Sequence, residues 1–294
     1  MFIKIKIFVY QYFISAIFSL LYPIKRKKLN FSIMNSVDTI DYIIKNKVSV
    51  SRYGDGEYDL IGRRGNGFQQ DNADLSAKLA YILENPIPKH LICIPFALRS
   101  VSGLRVRSKL FWMSFVVRRN ELISKNTRKD IFYGNSLFSR FYIIMGNRKK
   151  SPIIADSIKE IWKGRNVCIV EGEFTKLGVG NDLLDGANDV KRILCPAQNA
   201  FDKYEKIREV INANVSKDTL ILCALGMTAT ALTYDLTIDG YQAIDIGHVD
   251  VEYMWMKMKA KSQCPIQGKY VNEISDKEPI KDIWNISKQI LYKV

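Results

Sequence analysis

Five apolar, strand-like runs in this chain each break off at a polar or glycine-bearing turn, and this repeat constrains the fold more than any other feature. Residues 48–53 run into Gly54-Asp55-Gly56-Glu57. Residues 167–170 run into Glu171-Gly172-Glu173 and then Gly178-Val179-Gly180-Asn181-Asp182. Residues 193–195 lead to Pro196-Ala197-Gln198-Asn199, residues 220–225 to Gly226-Met227-Thr228, and residues 243–246 to Gly247-His248-Val249-Asp250-Val251-Glu252. From 152 onward strand and helix patterns alternate: helices over 153–163, near 181–187, over 199–213 and over 228–239, with strands over 167–170, 191–195, 219–225 and 242–246. That is the βαβ pattern of a parallel sheet. The expected fold is α/β, a Rossmann-like, mostly parallel sheet with helices on both faces. Such sheets bind ligands outside the carboxyl ends of their strands, which is where this chain keeps its candidate chemistry.

The 294 residues carry a formal charge of +14, unevenly spread. Residues 1–28 hold six Lys/Arg and no acid, and residues 99–150 hold thirteen Lys/Arg against Glu121 and Asp130. The sheet-forming remainder is close to neutral. Residues 99–150 also interrupt the alternation. They read as a basic, aromatic, mostly helical insertion that covers the sheet. Residues 260–294 read as a tail with a short helix over 280–292. Basic surfaces attract nucleic acid, anionic lipid or phosphorylated ligands. Five cysteines without a close pair read as reduced core thiols. With only His90 and His248 beside them, they do not make a zinc site.

Residues 7–24 contain no charge, with Lys4 and Lys6 before them and Lys25-Arg26-Lys27-Lys28 after. Eighteen residues is short of the roughly 20 that a membrane span needs. A helix lying in the membrane surface, backed by a polybasic patch, fits as well as a span. If the segment spans, the stronger positive cluster after it keeps the globular part in the cytoplasm. The expected organisation is a membrane-associating segment (1–29) and a catalytic domain (30–294), at the cytoplasmic face of the cell membrane.

Asp55-x-Glu57 sits between two glycines after a strand. Alternate carboxylates on a turn can converge on one divalent cation, or divide into ligand and general base; they can equally be a solvated polar turn. Gly54 permits close ligand approach, and Arg52 suits a phosphate oxygen by charge and forked geometry. The Gly178, Gly180, Asn181, Asp182 turn opens a helix in this reading, and backbone N–H groups at a helix start bind anions. Asn181 or Asp182 can cap that helix instead. Gly226 and Thr228 form a second strand-to-helix turn, with no P-loop lysine after it. If His248-x-Asp250-x-Glu252 is extended, all three side chains share one face and can serve as base, metal ligands or sugar-hydroxyl acceptors. Asn135 and Arg140, in the basic insertion, are candidate phosphate contacts.

At these motifs the chain resembles the bacterial glycosyltransferases of the GT-D fold. The matching stretches are SRYGDGEYDLIG (51–62), GNSLFSRFY (134–142), VEGEFTKLGVGNDLL (170–184), KRILCPAQNAFDKYEKI (191–207), ALGMTATALTYDL (224–236) and GYQAIDIGHVDVEYMW (240–255). The resemblance implies a Rossmann-like fold, a UDP-sugar donor with glucose as the sugar, and a divalent metal, Mn2+ or Mg2+, held by Asp55 and Glu57. Two positions depart from the family pattern, which usually has proline at Met227 and glutamate at Met254.

Together these observations predict a metal-dependent glycosyltransferase acting on a glycan acceptor in surface polysaccharide or glycoconjugate biosynthesis. Charge and apolarity at the amino terminus suit a lipid-linked acceptor and the cytoplasmic membrane surface, and no specific nucleic acid is expected. Arg52, Gly54, Asn135, Arg140, the 178–182 turn and Gly226/Thr228 are the expected donor cradle, and His248, Asp250 and Glu252 the acceptor-side or base candidates. The rival readings are a metal-dependent phosphoesterase or nuclease using the same carboxylates, and a non-catalytic nucleotide-sugar-binding scaffold.

Overall fold

A computed structural model of the chain describes residues 17–271, 274 and 284–294. Among them nine strands form one sheet: β1 (Ser32–Ile33), β2 (Ser49–Arg52), β3 (His90–Ile94), β4 (Phe132–Asn135), β5 (Asn166–Gly172), β6 (Asp189–Cys195), β7 (Leu220–Ala224), β8 (Gln242–Asp245) and β9 (Ile290–Lys293). Their order is β1-β4-β3-β2-β8-β7-β5-β6-β9, and every pairing is parallel. The helices are α1 (Ser36–Asn46), α2 (Asp55–Ile61), α3 (Ala73–Glu84), α4 (Val106–Asn126), α5 (Ser151–Lys159), α6 (Tyr204–Asn214), α7 (Met227–Ile238) and α8 (Val249–Lys257). Residues 17–27 are also helical.

The apolar runs are continuous because the central strands are covered on both faces. Alternate residues then serve opposite cores. Ile221 and Cys223 of β7 join the core that includes Leu79 of α3 and Leu232 of α7. Leu220 and Leu222 join the core of Ile40 in α1, Ile158 in α5 and Trp255 in α8. The chain leaves β2 through α2 and α3 on the α7 face towards β3, and leaves β8 into α8 on the opposite face. Neighbouring strands whose connections diverge open a crevice at their carboxyl ends, the place where doubly wound sheets bind ligands. Here that position is the carboxyl ends of β2 and β8, where Arg52 and Asp245 stand.

Four expectations are corrected. The 99–150 stretch is not an insertion laid over the sheet: it supplies α4 and then β4, which sits between β1 and β3. Residues 181–187 form turns instead of a helix. Residues 249–257 are helical, so the extended geometry expected for 248–252 does not form. At the carboxyl end, where a helix over 280–292 was expected, the described residues form a 3-10 turn and the edge strand β9. Most of the 7–24 apolar segment lies outside the described residues.

His90 is buried in β3, its ring nitrogens 2.8 Å from Thr237 Oγ1 and 2.9 Å from Ser51 Oγ. Burial pushes its pKa down to about 3, so the folded protein keeps it neutral while the unfolded chain protonates near pH 6.5. A base with a depressed folded pKa contributes stability above the unfolded value and loses it as pH falls towards the folded one. Between pH 6.5 and 4.5 this residue alone should remove about 2–3 kcal/mol. Urea denaturation of wild type and His90→Gln across that range should show the wild type losing more; equal losses would contradict the assignment.

Candidate active site

Arg52 closes β2 and leans across to β8. Its Nε lies 3.2 Å from Asp245 Oδ1 and 3.1 Å from the Asp245 carbonyl oxygen. Its Nη1 donates to Ser139 Oγ at 2.7 Å and to the Ser136 carbonyl at 3.1 Å. One forked guanidinium thus joins the ends of β2, β8 and the β4 turn, a task that needs several donors in fixed directions. The Thr230 hydroxyl in α7 lies 3.2 Å from Asp245 Oδ2 and 2.9 Å from the Arg52 carbonyl. Burial raises the pKa of Asp245, and Arg52 holds it back. Gly247 completes the arrangement. Its φ is +53°, and a Cβ there would stand 1.8 Å from Arg52 Nη2.

The D-x-E pair opens α2. Asp55 is exposed at the first helical position. Glu57, two residues on, turns back so that its Oε2 accepts the Gly54 N–H at 2.6 Å. Burial first and then the charge of Asp245 push Glu57 up to about 7, against the pull of the Gly54 N–H and Arg52. A carboxylate held this way gains from any cation that reaches it. Met227, at the first position of α7, lies against this turn: a Cβ on Gly56 would sit 3.6 Å from its sulfur. Proline is well tolerated at a first helical position, so the family's proline and this methionine fit the same backbone.

The other sequence candidates have different surroundings. Asn135 is buried; its Oδ1 accepts from Phe96 N and Leu137 N, and its Nδ2 donates to Ser36 Oγ. It clasps β4 to α1 and the β3 exit. Asp250 is buried and accepts from Gly178 N at 2.9 Å and Asn181 Nδ2 at 2.8 Å, while pairing with buried Lys269 at 2.6 Å. It fastens the 178–182 turn. Glu252 is fully buried; its Oε2 accepts from Tyr142 N and Ile143 N at 2.8 and 2.7 Å, and its Oε1 lies 3.5 Å from Arg140 Nε. Instead of converging, Asp250 and Glu252 anchor two separate loops. His248 caps α8 and is part-exposed beside Gly247.

The glycine-rich turn is part-exposed. Gly178 and Gly180 take φ values of +73° and +72°, and a Cβ at Gly180 would strike Trp284 at 2.4 Å. Asp182 pairs with Lys159 and Tyr253, and Lys159 foremost holds its carboxyl well below the usual range. Gly226 is covered by Phe68, 2.2 Å from where a Cβ would stand, and buried Thr228 lies 3.5 Å from Gln69. The covering loop is tied down by Asn199, whose N–H donates to the Phe68 carbonyl and whose Oδ1 accepts from Gln70 N.

Sequence reasoning missed Asp245. Its signal was a carboxylate closing an otherwise apolar strand. It also missed the buried pair of Glu171 with Arg192, in which Glu171 further accepts from Leu177 N at 2.7 Å. Among the described residues, no three His, Cys, Asp or Glu side chains are grouped to hold a metal.

A parallel sheet with paired charges where neighbouring strand connections diverge is the frame of an α/β protein that binds a ligand at its strand ends. Residues 50–274 match the family of glycosyltransferases with the GT-D fold, and the chain belongs to that family. It is 35% identical over 243 residues, 82% of this chain, to a probable glycosyl transferase, Gly, of Streptococcus gordonii. It is 34% identical over 80% of its length to the glycosyltransferase GlyD of Streptococcus pneumoniae. The matches span 35% and 29% of those relatives, about a third of their length. A solved structure of the highly conserved domain of unknown function 1792, described as having a distinct glycosyltransferase fold, superposes with a TM-score of 0.87 at 33% identity, covering 92% of this chain and 98% of that one. A glycosyltransferase of the same domain family from Streptococcus sanguinis gives 0.85 at 32%, covering 90% and 99%.

Gly247→Ala should displace Arg52 from Asp245. Misplacement of a positioned group by about 1 Å can cost ~100-fold. Turnover should fall by about that factor while the melting transition stays cooperative. Wild-type turnover in this variant would remove Arg52 from the site.

Proposed function

We propose that this chain transfers glucose from UDP-glucose to a glycan acceptor, in surface polysaccharide or glycoconjugate biosynthesis, using Mn2+ or Mg2+. The observation that carries this reading is the meeting of Arg52, Asp245 and Glu57 at the crevice where the connections of β2 and β8 diverge. Asp55 and Glu57 would hold the cation. What supports this is the chemistry of the donors, exposed Asp55 and the raised carboxylate of Glu57 at the start of α2, which would leave the other positions to water and substrate phosphates, as magnesium sites commonly do. Bound there, the cation would neutralise charge developing on the departing diphosphate. Arg52 supplies a fixed positive charge beside it, already oriented by Asp245 and Ser139, so little reorganisation is needed as the donor bond breaks. His248 is part-exposed at the start of α8, whereas Asp250 and Glu252 are buried loop anchors, and we assign His248 the proton of the acceptor hydroxyl. The donor must also reach Gly226 and Thr228, which requires the Phe68 loop to swing away from the start of α7.

Calorimetric titration with UDP and UDP-glucose, each with and without manganese, tests the donor site. Metal-dependent binding that disappears in Asp55→Ala, with folding retained, is the expected result. Failure to bind any uridine nucleotide would overturn the donor assignment.

The helical residues 17–27 support a peripheral membrane position. Their inner side is held by Tyr22, whose hydroxyl donates to the Ala97 carbonyl, and by Asn120 donating to the Lys25 carbonyl. Ile17, Leu20, Leu21 and Ile24 are exposed. Their spacing makes one helical stripe, and Lys25 to Lys28 follow it directly. An apolar stripe beside a basic run suits an anionic bilayer surface, and we place the protein on the cytoplasmic face. No helix among the described residues is long and apolar enough to cross a membrane. Co-sedimentation with phosphatidylglycerol vesicles should occur for wild type and fall sharply for Leu20→Ser/Ile24→Ser; equal sedimentation of both would refute this docking face.

A further inference from the structure

The amino-terminal end of α4 lies in a concentration of positive charge that the donor site does not use. An open depression of about 530 Å3 is lined by Arg105, Arg148, Lys149, Lys261 and the backbone at Gly146 and Asn147. Arg105 is the residue that precedes α4. Its backbone N–H donates to the Ile144 carbonyl, while its Nε is buried and has no hydrogen-bond partner among the described residues. Burial, and the neighbouring charges of Arg148, Arg107 and Arg140, hold the Arg105 guanidinium below its ordinary pKa, with Glu252 opposing them. A buried donor without an acceptor is costly, and like charges brought together add to that cost.

The surrounding order is built rather than incidental. Arg148 stacks on Tyr142 at 4.4 Å from the ring centre and donates to the Ala260 carbonyl at 2.7 Å and the Lys261 carbonyl at 3.1 Å. Gly146 N donates to the Gly103 carbonyl. These bonds fix the 145–148 corner to Gly103, just ahead of α4, and to residues 260–261. The helix runs 21 residues, its first turn has no acidic residue, and its cap makes no side-chain hydrogen bond. Its end therefore adds partial positive charge to the arginines. The carboxylate of this neighbourhood, Glu252, is fully buried and directed at Tyr142 N, Ile143 N and Arg140.

The depression is joined to the crevice by one short stretch of chain. Ser139 accepts from Arg52, Arg140 pairs with Glu252, and Ile144 accepts from Arg105. We propose that this depression is a second phosphoryl-anion site, distinct from the donor diphosphate, that holds a phosphate or diphosphate group on the acceptor. It rests on the glycosyl-transfer reading only for the word acceptor; the anion site itself stands on the charges and the orphaned Arg105 Nε. Arg105 and Arg148 bind the anion, and Lys149 and Lys261 close over it from the exposed rim.

Calorimetry with inorganic pyrophosphate on the full chain tests the site. Three proteins are compared: wild type, Arg105→Gln, and Lys149→Gln/Lys261→Gln, whose two lysines are exposed and whose replacement should leave the melting transition unchanged. Pyrophosphate should bind wild type with UDP already filling the donor site, and at least about tenfold more weakly in each variant, a loss typical of a charge-assisted contact, with UDP affinity unchanged. A parallel arm uses farnesyl diphosphate. Tighter binding than pyrophosphate, with the same dependence on Arg105, assigns the site to a lipid-linked acceptor. Equal binding assigns it to a water-soluble phosphate ester. Displacement of pyrophosphate by UDP, or indifference to all the substitutions, would overturn the proposal. Loss of UDP binding in wild type with Arg105-dependent pyrophosphate binding retained would sink the donor reading and leave this site standing.

Discussion

The ion pair between Arg52 and Asp245 holds the carboxyl-end rim of the sheet together. It bridges two strands that are distant in sequence and adjacent in the sheet. Through Ser139 it also reaches the turn after β4, and through Thr230 the first turns of α7. A pair this enclosed gains strength from the low local dielectric but becomes a liability if either partner is lost. That explains the tight accommodation around it, above all a glycine at 247 where any side chain would collide with the guanidinium. It also bears on Glu57, which burial raises most, with the charge of Asp245 adding to that rise and Arg52 opposing it.

Around this tie, buried acids serve as loop anchors. Asp250 fixes the glycine-rich turn and Lys269, Glu252 fixes the 140–143 segment, and Glu171 with Arg192 fixes Leu177 from both its N–H and its carbonyl. Loops need such anchors because they lack the repeating backbone bonds of strands. The consequence is a rim whose walls are set before any ligand arrives, with Phe68 and Gln69 lying across the start of α7 and their loop fastened by Asn199. The helix of residues 17–27 is tied to α4 by Asn120, which donates to the Lys25 carbonyl, and the arginine-lined depression lies at the amino-terminal end of the same helix α4.

Legibility differed by the kind of signal. Strands β2, β3 and β5 to β8 were readable because a strand covered on both faces must be a short apolar run. The ends of those runs located the rim, and Asp55, Glu57 and Arg52 with it. Strand β4 was hidden inside a basic, aromatic stretch, since a four-residue strand beside a long helix has no periodicity of its own. The extended reading of 248–252 failed because alternating polar and apolar residues over so few positions suit a strand or one turn of helix equally, and the tertiary fold turned the chain into α8. The 181–187 helix failed although Asn181 Oδ1 accepts from Leu183 N as a cap would: that bond closes a local turn, and the segment goes on as turns with no helix after it.

By itself the sequence determined the layered α/β class, the placement of polar residues at strand ends, the split of charge between a near-neutral sheet and two basic stretches, and the motifs that mark the family. These are local properties: a run of side chains either can or cannot be buried, and a glycine either is or is not present. Only the tertiary structure decided which polar residues face one another. Asp245 became the partner of Arg52, Asp250 and Glu252 became anchors, and Arg105 came to lie beside Arg148 and Lys261, because strand order and helix direction bring together residues that lie up to about two hundred positions apart, and no spacing in the chain encodes that distance.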